Sequence, residues 1–322
     1  MKFSVLALFA VCCSWSIVSA HAEEGYPSHP VRIIVPFAAG GPTDIVARLI
    51  AKGLSENLKQ NFYVENLPGA GGNLGTATAA KTAPDGYTLA VVASSFVVNP
   101  SLYARIPYDA EKDFAPISMV GDGPNILIAN PSVPIKTAND FVELIKAHPD
   151  QYTFASAGVG TTTHLSGELM KLSLGLRMTH VPFSGSGPAI QSLIGGHTPI
   201  AFTTIPPAMA MITEGKIRPI AVLARSRAAA LPDVPTMAEA GFPGQEGNNF
   251  QGLLAPMGTP RSIIEKLNEQ VAAIVKTPES AKRFEMLGLD VVANKPEEFQ
   301  AQIRAEIEKW GKVVKAADLK IE

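Results

Sequence analysis

Two hydrophobic periods take turns along this chain. Short runs rich in β-branched and apolar residues, Val31 to Val35, Tyr63 to Glu65 and Thr88 to Ala93, predict strands. Between them, Asp44 to about Lys59 carries Ile45, Val46, Leu49, Ile50 and Leu54 at helical spacing. A second helix is predicted from about Gly72 to Lys81. The series resumes with strands expected at Asn125 to Ala129, Thr153 to Ser156, Met178 to Val181, Ile200 to Thr203 and Ile220 to Leu223. Helices are expected at Ala138 to Ala147, Thr163 to Leu174 and Pro188 to Ile194. Such alternation predicts an α/β protein whose parallel sheet carries helices on its faces.

The tail differs. Ser262 to Lys276 and Pro296 to Lys315 each show a single apolar stripe, which places Trp310 and its helical neighbours in a core. Asn248 to Pro256 reads as a strand leading back to the first half. The pattern therefore predicts two αβ lobes, residues 23–122 plus 247–322 and residues 123–246, with a ligand cleft between them.

Composition narrows the setting. Lys2, an apolar stretch from Phe3 to Val18 and the small-x-small site Ala20-His21-Ala22 read as an export signal cleaved after Ala22. Cys12 and Cys13 lie inside it, and the preceding Phe9, Ala10 and Val11 fit a lipid-anchor signal poorly. The remaining chain has no cysteine, which excludes disulfides and thiolate chemistry from it. Removing Lys2 from 27 basic residues leaves 26 against 29 acidic ones, a net charge of −3. That balance argues against a nucleic-acid partner.

Two segments carry candidate chemistry. In VPFAAGGPTDIVAR, Val35 to Arg48, a strand runs into Gly40, Gly41 and Pro42 and then a helix start at Thr43 and Asp44. Backbone N–H groups at the positive end of a helix suit an anion, and no Lys or Arg lies in the turn itself. FASAGVGTTTHLSGELM, Phe154 to Met170, repeats that logic with Gly158, Gly160, Thr161 and Thr162. Residues at strand ends, Ser94, Ser95, Phe183, Ser184, Thr203 and Thr204, are candidate cleft liners. His164 has no acidic or histidine partner at metal spacing, so it reads as structural and no metal is expected. In NLPGAGGNLGTATAA the third glycine of a dinucleotide fingerprint is replaced by Leu74, so no nucleotide cofactor is expected. That segment reads instead as a tight turn bringing a helix close to the sheet. An exported hydrolase using Ser184 or Ser186 with His164 or His180 is disfavoured, because neither serine sits in a Gly-x-Ser-x-Gly elbow.

Taken in order, VPFAAGGPTDIVAR, NLPGAGGNLGTATAAK, PDGYTLAVVAS, FASAGVGTTTHLSGELM, HVPFSGSGPAI and LAPMGTP resemble the Bug-type extracytoplasmic receptors of tripartite tricarboxylate transporters. The resemblance spans nearly the whole chain after the export signal. It implies a periplasmic binding protein of the Venus-flytrap type, and the chain is read as a monomeric receptor rather than an enzyme. Such a receptor captures a small organic carboxylate, often a dicarboxylate, and delivers it to membrane permease subunits. A receptor serving a signalling protein would share the same fold and ligand. Carried onto this chain, the first-lobe contacts are Phe37, Ala38, Ala39, Gly40, Gly41, Thr43, Ser94 and Ser95. The second-lobe contacts are Ala157, Gly158, Gly160, Thr161, Thr162, Phe183, Ser184 and Thr203. Relatives commonly carry Tyr-Lys in place of Phe183-Ser184, Asp in place of Thr203 and Trp in place of Phe250. Those departures point to a less polar or aromatic far end of the ligand.

Overall fold

A computed structural model describes residues 25–321. The export signal expected at 1–22 lies outside the described residues.

The first half alternates as the periodicity predicts. β1 (Val31–Val35) feeds α1 (Pro42–Leu58), β2 (Phe62–Asn66) feeds α2 (Asn73–Ala80), and β3 (Thr88–Ala93) feeds α3 (Ser95–Leu102). β1 lies between β2 and β3, parallel to both. The turn before α2 is as tight as its glycines suggest. A Cβ on Gly75 would lie 2.7 Å from the Leu67 carbonyl oxygen and 2.8 Å from Pro36 Cα, so only glycine lets this helix approach so closely.

β4 (Phe114–Ala129) is the strand that joins everything. Beyond it come α4 (Ala138–Ala147), β5 (Thr153–Ser156), α5 (Thr162–Leu174), β6 (Thr179–Pro182), α6 (Ser186–Ile194), β7 (Ile200–Thr204), α7 (Ile205–Thr213) and β8 (Arg218–Leu223). β9 (Asn248–Pro256) then returns to the first half, followed by α8 (Arg261–Val275), α9 (Pro278–Met286), β10 (Asp290–Val291) and α10 (Pro296–Ala316). Residues 114–124 of β4 pair with β9, whereas residues 125–129 pair with β7 and β8. One strand is thus shared between two sheet regions. At this crossing Asn125 N–H donates to the Gly247 carbonyl, and the Asn248 amide donates to Asp122. Burial pushes the Asp122 carboxyl up to about 6, against the lowering effect of that amide.

The sheet is mixed, which corrects the parallel expectation. β5 is parallel to β6 and β7, but β9 runs antiparallel to β3 and β4, and β4 runs antiparallel to β7 and β8. Strands that carry the chain between the two regions reverse direction, so they cannot join as βαβ units. Several elements escaped the periodicity. α3 contains Pro100, α7 begins Ile205-Pro206-Pro207, and the first part of β4 is punctuated by Pro116, Gly121, Gly123 and Pro124. Each carries residues that normally end the element they sit in.

The core divides with the sheet. Two clusters, around Ile33, Val91 and Leu267 and around Phe96, Phe299 and Trp310, fill the first half. Two more, around Phe141 and Phe202 and around Ile190 and Val222, fill the second. Leu165 and Leu169 of α5 cross over and pack into the Trp310 cluster, so the halves are in contact.

Candidate ligand-binding cleft

Four helices begin at one cavity. α3 starts at Ser95, α5 at Thr162 and α6 at Ser186, while α7 follows its N-cap Thr204. All four residues line a hollow of about 310 Å³. From the first half it also takes Phe37, Ala93, Ser94, Val98 and Asn249. Ala157, Gly160, Thr161 and Thr163 complete the wall from the second. No charged side chain is in this lining. First-turn N–H groups have no partner within their own helix, and α3, α6 and α7 start without a side-chain cap. Each helix start adds partial positive charge, so the hollow favours an anion although no cation lines it.

Other hollows suit an organic acid less well. A groove of about 520 Å³ beside Arg261 and Arg304 and one of about 340 Å³ beside Lys52 and Glu279 lie wholly on the first half. A third, of about 250 Å³, touches both halves but carries Glu285 and Asp290, which repel an anion.

The two glycine turns are held by their own helices. In the first, Gly40 N–H donates to Asp44 Oδ2 at 2.9 Å. Arg48 Nε reaches the same oxygen at 2.9 Å, and Asn66 Nδ2 donates to Asp44 Oδ1 at 2.9 Å and to the Phe37 carbonyl at 3.0 Å. The sequence left the Gly40 N–H for a ligand; a carboxylate of the chain already occupies it. Burial alone would raise the Asp44 carboxyl, but hydrogen bonds from Arg48, Gly40 and Asn66 outweigh it and hold the group below the usual carboxylate range.

In the second turn, Gly160 N–H donates to His164 Nδ1 at 3.1 Å. Thr161 Oγ1 caps α5 by accepting from His164 N–H and donates to the Gly158 carbonyl at 2.7 Å. His164 is buried, as its structural reading requires, but Glu168 four residues on, 3.6 Å from its Nε2, and His180 stacked on its ring correct the expectation that it lacks an acidic or histidine neighbour. Gly160 has φ +75°, and a Cβ there would lie 2.4 Å from Leu102 Cδ2 of α3, so this turn presses on the opposite half.

Of the sequence-predicted contacts, Phe37, Ser94, Ser95, Ala157, Gly160, Thr161 and Thr162 come together on the cavity wall. Ala38, Ala39, Gly40, Gly41, Thr43, Gly158, Phe183, Ser184 and Thr203 lie outside its lining. Thr43 is buried within α1. Phe183 packs against the Ile190 core cluster, and Ser184 is exposed. Thr203 is fully buried with its hydroxyl unpartnered among the described residues. Its neighbour Thr204 faces the cavity instead, because successive strand residues point to opposite faces. Ala93, Val98, Thr163, Ser186 and Asn249 were not singled out as contacts. For Asn249 the strand period was the available signal, since Phe250 next to it faces the core.

A curled α/β sheet in two regions, with a cavity at the carboxyl ends of strands from both, defines the periplasmic solute-binding class. Residues 46–319 match the family described as "Tripartite tricarboxylate transporter family receptor", and the chain belongs to that family. Protein BugT of Bordetella pertussis is 36% identical over 307 residues, which cover 95% of this chain and 94% of that protein. A solved R. palustris protein with adipate is 34% identical, covers 92% of this chain and 100% of its own, and superposes with a TM-score of 0.75. MatC from Rhodopseudomonas palustris with bound malate is 35% identical, covers 90% of this chain and 100% of its own, with a TM-score of 0.70. The protein is therefore a periplasmic solute receptor of the tripartite tricarboxylate transporter family and not an enzyme.

Proposed function

We propose that the cavity flanked by four helix starts holds one organic acid of about the size of malate or adipate, and that the halves close over it. The observation that supports this most directly is the composition of the wall: hydroxyls, one amide, helix N-termini and apolar patches from Phe37, Ala93 and Val98, drawn from both halves. In this reading Ser95, Thr162, Ser186 and Thr204 face the carboxylate, and Phe37 with Val98 packs on the carbon skeleton. A charge-assisted hydrogen bond contributes about 1.5–3 kcal/mol, so a few suffice for micromolar binding after ordering costs. Ala38, Ala39, Gly41, Gly158, Phe183 and Ser184 belong to the surrounding rim that closure brings nearer. The moving bodies are residues 23–122 plus 247–322 and residues 123–246, hinged where β4 and β9 cross. The export signal is cleaved after Ala22, and the receptor works as a monomer that hands its ligand to the permease.

The test is a thermal-shift panel on the exported protein, with aliphatic and aromatic mono- and dicarboxylates. A ligand present at a hundred times its Kd adds about 2.7 kcal/mol of stability. A melting temperature unmoved by every acid would overturn the assignment.

A further inference from the structure

The second glycine turn rests on a pair of stacked imidazoles, His164 buried and His180 half-buried, that the binding of a carboxylate does not itself require. His164 and His180 stack with ring centroids 3.7 Å apart and planes 16° from parallel. Phe154 lies against both rings, at 4.9 Å from His180 and 6.4 Å from His164. Each imidazole holds a different part of the turn. Gly160 N–H donates to His164 Nδ1 at 3.1 Å, an interaction open only to a nitrogen that carries no proton. That fixes the His164 proton on Nε2, which faces Glu168 Oε1 at 3.6 Å. His180 Nε2 lies 2.6 Å from Ser156 Oγ, and this hydroxyl accepts from Gly158 N–H at 3.2 Å. The Gly158 carbonyl lies 3.3 Å from the same hydroxyl, so one serine proton has two competing acceptors.

We propose that His164 and His180 are positioning residues for the turn from Gly158 to Thr162, and that uptake of a proton by the pair rearranges the hydrogen bonds that hold it. The role in ligand affinity rests on the cavity being the binding site; the effect on the turn does not. A proton arriving at His164 Nδ1 converts the acceptor of Gly160 N–H into a second donor. A proton arriving at His180 Nε2 makes that nitrogen a donor to Ser156 Oγ and turns the serine proton toward the Gly158 carbonyl. Two cationic rings at this spacing repel, so one proton per pair is the accessible change. The charged groups acting on His180 are His164, Glu168 and Lys171. Those acting on Glu168 are Lys171, bonded at 2.9 Å, and His164. α10 packs on α5, and the hollow beside Glu168 and Lys171 is otherwise lined by the uncharged Leu172, Ala316 and Ala317. Burial, followed by the nearby His164, pushes His180 down to about 4, in keeping with a ring held neutral at ordinary pH.

The experiment reads the turn first without any ligand. In ¹⁵N-labelled full-length exported protein, the Gly160 amide resonance should move between pH 7.5 and 4.5 together with the imidazole ring resonances. It should be insensitive to pH in that range in His164→Asn. A Gly160 amide that does not follow the rings overturns the proposal. Binding is then measured with malate and adipate at pH 7.5 and 5.0 in wild type and His164→Asn. Titration of the acids themselves affects both proteins equally. Wild-type affinity should fall more than that of the variant, and equal falls overturn the proposal. If His164→Asn does not fold, His180→Asn replaces it in both measurements, and there the Gly158 amide is read. Failure of both acids to bind at any pH counts against the cavity as the ligand site and is separable, because the Gly160 resonance needs no ligand.

Discussion

The two glycine turns are built alike and latched by different chemistry. Each follows a strand, each opens a helix, and in each a glycine N–H is taken by a side chain four residues further along: Gly40 by Asp44 and Gly160 by His164. The first latch is a carboxylate clamped by Arg48 and Asn66 and kept ionised into the acid range. The second is an imidazole, the one side chain whose ordinary titration falls near neutral pH. The turns also differ in surroundings. A Cβ on Gly40 meets nothing within 4 Å, whereas one on Gly160 meets Leu102 of the opposite half. The first turn is thus positioned by its own helix, and the second also abuts the facing half.

The largest expected effect comes from cutting the first latch. Asp44→Ala leaves Gly40 N–H and one Asn66 N–H without their acceptor and should cost about 2–4 kcal/mol in urea unfolding. Ligand affinity should fall with it. An unchanged unfolding midpoint would show that Asp44 does not hold the turn.

Next comes a pair of glycine substitutions. Gly160→Val forces a β-branched residue to φ +75° and against Leu102, and should weaken ligand binding by about tenfold or more in calorimetry. Gly40→Val suffers the φ +86° strain but no clash, so its loss should be smaller. The reverse order would mean that the first turn, not the second, closes the cavity.

The first latch and His180, which stacks on the second, should also separate in pH. His180 has a folded-state pKa of about 4 against an ordinary 6.5, so the unfolded chain binds its proton more readily. Its contribution is complete above about pH 6.5 and declines as pH falls toward 4. The Asp44 contribution persists through that window, because its lowered carboxyl stays ionised until the pH drops below the ordinary carboxylate range. Thermal unfolding between pH 7 and 4.5 should therefore show a decline that flattens in His180→Asn. A decline of equal slope in the variant would place the responsible group elsewhere.

The smallest contrast tests strand register. Thr204→Val removes a hydroxyl from the cavity wall and should weaken binding severalfold, by about 1 kcal/mol. Thr203→Val removes an unpartnered buried hydroxyl, should leave affinity unchanged and should be neutral or slightly stabilising in urea. Equal effects on affinity would remove the distinction between the two faces of β7.

Much of this was legible in residue order. Val31–Val35, Thr88–Ala93, Ala138–Ala147, Thr153–Ser156 and Asn248–Pro256 form where the periodicity places them. These segments bury one stripe or one run, and that requirement is written locally. The glycine turns were legible for the same reason, since only glycine tolerates Gly40 at φ +86° and Gly160 at φ +75° beside a helix start.

What the chain order did not contain is who meets whom. The antiparallel run of β9, the sharing of β4 and the starts of α3 and α7 depend on partners more than a hundred residues away or on prolines that tertiary packing overrides. The choice of Thr204 over Thr203, the entry of Asn249 into the wall and the stacking of His164 on His180 are likewise decisions of three-dimensional neighbours. Sequence determined the family, the elements and the two turns, because local sterics and hydrophobic period act between near residues. Tertiary structure decided which N–H groups the chain itself occupies, because a hydrogen-bond donor serves whichever acceptor the fold brings to it first.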